Sequence, residues 1–266
     1  MWSSSYQRFY RLNLCHLPFR HSYQVATRSI VHAINERMAT HYALTHNGQI
    51  MPDSDRLEAE LVWTCELNNQ CQEEQLHQPS AHVPRIIYED QLGFLQPRVR
   101  AALDRLDHSD TDAVTTLIMN NPLARSAWCV RRGGKVAVPH TDLNCAGNPC
   151  IHHSSLGNHE GMGGKKSALF YIWEKQRLTL LERAWIAENV DNFGLLEFER
   201  LRVHYELERI VVEVADQGWK TRRRRQFVVG VLRAVIARIS RSECLFGGYT
   251  SVGAIVIVIF TRTTHK

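Results

Sequence analysis

The sequence predicts an α+β fold, mainly helical, with an irregular Gly/His/Cys-rich centre and a basic C-terminal helix followed by an apolar strand or membrane segment. Three observations predict it. Apolar residues recur at helical spacing in several stretches between Asp53 and Asn121, and again after Ser167. Glycines at 133, 134, 147, 157, 161, 163 and 164, with Pro139 and Pro149, break every periodic pattern between those blocks. Val228, Val231, Leu232, Val235 and Ile239 mark one face of a helix directly after four consecutive arginines.

The chain has 266 residues, 44% of them hydrophobic and 22% charged, enough for a core that needs no covalent staples. Seven cysteines without a regular framework, and no Asn-x-Ser/Thr sequon, point to a reducing, intracellular setting rather than secretion. Charge is unevenly spread. Residues 1–50 carry five Arg against one Glu, residues 51–217 carry 17 basic and 25 acidic groups, and residues 218–266 carry ten basic groups and one Glu. An acidic middle between basic ends predicts terminal surfaces for anionic partners, either a lipid surface or a nucleic-acid backbone. Four regions follow: a basic N-terminal arm or transit-like segment over 1–50, a helical region over 51–125, an irregular loop region over 126–166, and a helical region with an apolar tail over 167–260.

Taken in order, Arg8, Arg11, Arg20 and Arg28 precede the first acidic residue, Glu36, and are interspersed with Ser3, Ser4, Ser5, Ser22 and Ser29. That composition is the one mitochondrial transit peptides use, and no apolar run of secretory-signal length accompanies it. A mobile basic arm or a first helix are the competing readings, and Pro18 limits any helix through the segment. Asp55 and Glu58 have capping-box spacing ahead of a Leu57, Leu61, Cys65 stripe, which predicts a helix there. Pro79 and Pro84 mark a connection. Val99, Ala102, Leu103 and Leu106 predict a second helix; residues 107–110 supply a turn and cap; Ala113, Val114, Leu117 and Ile118 predict a third, stopped by Asn121-Pro122. The pair reads as a core αα-hairpin rather than a helix-turn-helix DNA reader, because "TDAVTTLIMNN" holds no Arg or Lys.

The central loop "NPCIHHSSLGNHEGMGGKKS" (148–167) raises phosphate and metal chemistry. A P-loop fails on spacing: counting back from Gly164-Lys165 puts Lys166 at the hydroxyl position and His159 at the first glycine. An anion nest at the start of the next helix remains, with Ser167 as its N-cap. Cys145, Cys150, His152 and His159 offer the thiolate and imidazole donors that zinc takes tetrahedrally, though no C-x2-C knuckle fixes them, and a histidine-rich surface loop is the competing reading. A Cys150 nucleophile with His152 as base would need sulfur and imidazole to meet, which alternation in a loop does not supply.

Residues 167–194 predict a helix with Leu169, Ile172, Trp173, Leu180, Leu181, Ala184 and Trp185 inward, its tryptophans packed in a core, and Gly194 as its stop. Over 195–214, Leu201, Val203, Tyr205 and Leu207 alternate like a strand, but length and Glu/Arg content predict helix. The strongest signal is C-terminal. Arg222, Arg223, Arg224, Arg225, Arg233, Arg238 and Arg241 flank the apolar face over 218–241, as expected of a helix lying on an anionic bilayer or against an RNA or DNA backbone, or of a core helix with a solvated basic rim. Residues 244–260 carry no charge; they fall short of the roughly 20 residues of a bilayer span, and their β-branched end suits a buried strand equally. The sequence therefore predicts a non-enzymatic protein that associates with anionic surfaces, foremost membranes, with nucleic-acid backbone binding and a zinc module as alternatives.

Overall fold

The computed structural model describes residues 9–15, 58–65, 85–147, 167–213 and 224–242, with isolated positions at 36–50, 73–77 and Met162; over 9–15, 58–64 and 238–242 it describes backbone alone. Nine strands form one sheet: β1 (Phe9–Cys15), β2 (Glu58–Cys65), β3 (Ile86–Tyr88), β4 (Ser126–Cys129), β5 (Gly134–Ala137), β6 (Leu143–Gly147), β7 (Ala184–Val190), β8 (Tyr205–Glu213) and β9 (Arg224–Leu232). Their order is β5-β4-β3-β2-β1-β6-β7-β9-β8. The pairs β1–β2, β2–β3, β1–β6 and β6–β7 are parallel. The flanking pairs β3–β4, β4–β5, β7–β9 and β9–β8 are antiparallel. Among the described residues, α1 (Pro97–Leu103), α2 (Thr111–Asn120), α3 (Ser167–Leu180) and α4 (Arg233–Ser242) accompany the sheet. Two 3-10 segments cover Gln91–Phe94 and Leu195–Val203.

The architecture is α/β, not a mainly helical α+β protein. A parallel strand buried on both faces shows no period-two alternation, so its sequence reads as a short apolar run that a helical template also fits. All five residues of β6 are buried, as are all three of β3. Residues 58–65, predicted helical, are β2. The stretch 126–166, predicted irregular, contains β4, β5 and β6. The predicted helix over 167–194 ends at Leu180; Leu181, at φ +49°, turns the chain and β7 follows. The predicted helix over 195–214 is a 3-10 segment and then β8, and the predicted helix over 218–241 is β9 and then α4. Both members of the α1–α2 pair lie where spacing predicted them, and the Asp110 carboxylate accepts from the Ala113 amide at 2.9 Å to cap α2.

The core centres on aromatic side chains from α3, β7 and the 195–203 segment. Trp173, Trp185 and Phe198 are fully buried. The Trp173 and Trp185 rings meet edge-to-face at 5.2 Å, and Trp185 stacks on Phe198 at 5.7 Å. Trp173 donates its indole N–H to Asn144 on β6 at 2.9 Å, joining helix to sheet through a buried polar bond. Trp185 needs space on β9, and Gly230, its register partner, provides it: a Cβ built there would lie 2.1 Å from the indole.

Two ionic groups are enclosed in this core. Arg177 and Glu182 are fully buried with 3.0 Å between Nη2 and Oε1, and the guanidinium lies over the Trp173 ring at 5.5 Å. Burial and the Glu182 charge hold the Tyr205 hydroxyl well above the usual phenolic range, with Arg177 opposing. Glu174 is also fully buried, paired at 3.0 Å with Arg200, whose own side chain is partly exposed and lies over Tyr171. Desolvation outweighs that guanidinium and pushes the Glu174 carboxyl up to about 7, with the Glu197 charge adding to the rise.

Two outcomes follow. Gly230→Ala relieves a glycine in a strand, ordinarily a gain, but the clash with Trp185 reverses the sign. The variant is expected to lose about 3 kcal/mol in denaturant unfolding; an unchanged midpoint would contradict the close packing. Glu174 holds its proton in the folded chain between pH 4.5 and about 7 while the unfolded chain releases it. Stability should therefore decline as pH rises through that window, by up to about 3 kcal/mol. Glu174→Gln should flatten this decline, as measured by melting at pH 5 and pH 7.5.

Candidate functional site

The parallel strands β1, β2, β3, β6 and β7 direct their carboxyl ends to one edge of the sheet. Strand order reverses at β1: the chain steps outward to β2 and β3 on one side, then returns to place β6 and β7 on the other. Connections leaving β1 and β6 must part in opposite directions, and the crevice outside such a switch point is where open α/β sheets bind ligands. The candidate site therefore lies at the carboxyl ends of β1 and β6, next to that of β7.

Side chains at this edge are charged and matched. Glu188, near the end of β7, is level with Gly147, the last residue of β6. Because β9 runs antiparallel to β7, its first residues arrive at the same edge: Arg225 is level with Val190. The Glu188 Oε1 accepts from Arg225 Nε at 2.8 Å, and both side chains are largely buried. Asp191, just past β7, faces Arg224 with 3.3 Å between Oδ2 and Nε. Arg209 on β8 donates to the Asp191 carbonyl, and its Nε donates to Gln226 at 2.7 Å. Two guanidinium–carboxylate pairs thus stand at one end of the sheet, with Arg209 bound to the backbone beside them. A carboxylate fixed by a guanidinium beside a ligand crevice can receive a hydrogen bond from an N–H donor or exchange a proton with it.

The predicted site residues are divided by this arrangement. Arg224 and Arg225 are brought to the carboxyl edge. Arg233 begins α4 at the other end of β9, where its Nη1 lies 3.0 Å from Glu206 Oε2. Eight residues of extended strand put roughly 27 Å between the two positions. Arg238 and Arg241 lie in α4 with side chains outside the described residues, and Arg222 and Arg223 lie outside them altogether. Cys145 is buried within β6, whereas Cys150, His152 and His159 lie outside the described residues.

Two expectations are corrected here. The membrane reading required a continuous basic amphipathic helix over 218–241. Residues 224–232 are instead an internal strand with Val228 and Val231 fully buried, and Arg224, Arg225 and Arg233 face carboxylates of the same chain. The non-enzymatic, membrane-associated role loses its basis with that helix. Among the described residues no helix is long and apolar enough to cross a membrane; the apolar tail 244–260 lies outside them. For zinc, Cys145 belongs to a central buried strand, and among the described residues no group of three or more His, Cys, Asp or Glu is placed to hold a metal.

Glu188 and Asp191 were missed by sequence reasoning. Their signal is the apolar run "AWIA" ending in "ENVD", which becomes informative only once 184–190 is read as a strand with its carboxyl end at a ligand crevice.

No family model matches the chain, and no curated protein matches it. Solved structures that resemble it include the Dnmt2 methyltransferase of S. pombe, at 13% identity and a TM-score of 0.42 over 92% of this chain and 52% of that one. The methyltransferase EhMeth of Entamoeba histolytica matches at 12% identity and a TM-score of 0.40 over 85% and 54%. A protein assigned as a prophage-encoded DNA modification methyltransferase of E. coli matches at 13% and 0.43 over 85% and 48%. The chain spans about half the length of these proteins.

The Glu188–Arg225 pair is testable by stability alone. Arg225→Ala leaves a mostly buried carboxylate without this partner and should lower unfolding stability by about 2 kcal/mol. Adding Glu188→Gln should restore about half of that loss; strict additivity of the two changes would show that the side chains are not coupled.

Proposed function

We propose that this chain is the core of an enzyme that transfers a methyl group from a nucleotide-like donor to nucleic acid. One observation carries the proposal: the strand order and directions, with a charged pair at the switch-point edge. Leaving aside the β4–β5 hairpin, seven strands follow in the order third, second, first, fourth, fifth, seventh, sixth, and only the seventh, β9, is reversed. That is the sheet of S-adenosylmethionine-dependent methyltransferases, a likeness of fold that leaves the chemistry to the residues at the edge.

Those residues suit the reading. A donor of this class presents ribose hydroxyls and an ammonium group, which call for acceptors at the ends of β1 to β3. Glu89 and Asp90 follow β3 directly, and Glu89 is exposed. Bound there, the donor would supply an electrophilic methyl group. On the other side of the switch point, Glu188, oriented by Arg225, would accept a hydrogen bond from an N–H of an acceptor base and hold it in place. Arg224 begins β9 with a largely exposed side chain and extends the run Arg222–Arg225, the positive charge a phosphate backbone requires.

The test is transfer of labelled methyl from S-adenosylmethionine to total RNA and to genomic DNA by the full-length chain. Incorporation into either is expected. Glu188→Gln should lower it by about 100-fold or more when assayed well below the melting temperature of the variant, a loss larger than partial unfolding can account for. No incorporation into either polymer, together with no binding of the donor in equilibrium dialysis, would refute the proposal.

A further inference from the structure

The β4–β5 hairpin is additional to the seven-strand body and forms one border of the sheet. Its inner face is fastened to the core. Ala127 and Cys129 are buried, and the fully buried Tyr88 donates its hydroxyl proton to the Ala137 carbonyl at 2.8 Å. Val130 donates its amide to Ile87 at 2.8 Å. This attachment fixes the outer face, where Trp128 and Lys135 are register partners and therefore neighbours on one surface. Trp128 is 48% exposed, on a strand whose alternate residues are buried. About half of this large aromatic side chain therefore remains open to solvent on a hairpin whose other face is fixed.

The hairpin and its flanking residues are basic, while the exposed Glu89 borders Trp128 from the end of β3. Between Asp112 and Asp142 the sequence holds Arg125, Arg131, Arg132 and Lys135 and no acidic residue. All four side chains are exposed, and Arg125, Arg132 and Lys135 form no ion pair among the described residues. Gly133, at φ +59°, turns the chain tightly and keeps Arg131, Arg132 and Lys135 close to one another. The Trp128 carbonyl accepts from Glu89, the first residue past β3, so the aromatic side chain is level with the carboxyl edge of the sheet. Four strand spacings, roughly 19 Å, separate β4 from β6, a span that a few nucleotides of single strand can cover.

We infer that this hairpin is a docking surface for single-stranded nucleic acid: an unpaired base stacks on Trp128 while Lys135 and the turn arginines neutralise flanking phosphates. A flat aromatic face among cations suits bases and phosphodiesters together, whereas an acidic peptide would use the cations and leave the indole idle. The inference rests on the nucleic-acid half of the function proposed above, and adds where the substrate strand is held away from the chemistry.

The test is fluorescence anisotropy of the full-length chain with labelled 20-nucleotide oligo(U) and oligo(dT), with poly-glutamate as competitor. Binding of either oligonucleotide is expected, the two arms separating RNA from DNA. Trp128→Ala should weaken it about tenfold or more, and Trp128→Phe should retain most of it. Arg132→Ala and Lys135→Ala should each reduce the slope of log affinity against log salt by about 0.7. Melting temperatures should stay unchanged, because these side chains face outward. If the parent chain binds but Trp128→Ala binds equally well, or if poly-glutamate displaces the oligonucleotides with equal effect on both Trp128 variants, the hairpin is not a base-stacking surface. If the parent chain binds neither oligonucleotide, the nucleic-acid reading of the whole chain fails with it. Methyl-donor binding, measured separately, tells the two failures apart.

Discussion

The close approach of Trp185 to Gly230 governs the architecture on this side of the sheet. An indole of that size fits between β7 and β9 only where the facing residue has no side chain. The contact secures the reversed strand β9 between β7 and β8, and with it the position of everything β9 carries. Trp173 and Phe198 pack against the same indole, Phe170 packs against both of them, and together they join α3 and the 195–203 segment to the sheet. Dispersion among large rings at this density is sensitive to sub-ångström shifts, so one glycine controls the register of a whole strand pair.

That register has a chemical consequence. Since β9 is antiparallel, its amino end reaches the edge to which the parallel strands direct their carboxyl ends, and Arg224 and Arg225 arrive beside Asp191 and Glu188. Four charges close in space derive from two segments more than thirty residues apart. The sheet also separates this cluster from Arg233, which the sequence groups with it, by the length of a strand. Among the described residues, the arginines that the sequence groups near the C-terminus are thus split between the candidate site and the base of α4.

On the proposed function, the border hairpin and the switch-point edge would divide the tasks a polymer substrate imposes. Chemistry on one base requires a narrow, oriented set of groups, which the β6–β7–β9 edge supplies. Holding the strand requires cations and a stacking face tolerant of sequence, which Trp128 and its basic neighbours supply. Placing the second surface on an added hairpin leaves the seven-strand body unaltered, and the buried Tyr88–Ala137 hydrogen bond makes the addition rigid.

By itself the sequence determined the local elements whose signals need no partner: α1 and α2, the Asp110 cap, and the core destiny of Trp173 and Trp185. It also displayed the charge segregation and the basic run around Arg222–Arg225. Only the tertiary structure decided that 58–65, 184–190 and 224–232 are strands; β7 and most of β9 are buried on both faces and so lack the alternation that distinguishes a strand from a helix. The candidate site was hidden for the same reason. Glu188 resembles one more surface acid in a helix until β7 and β9 are paired, and a guanidinium 37 residues further along the chain is then its neighbour. Hydrophobic periodicity is a local signal, whereas the meeting of Glu188 with Arg225 is fixed by strand order, which no local pattern encodes.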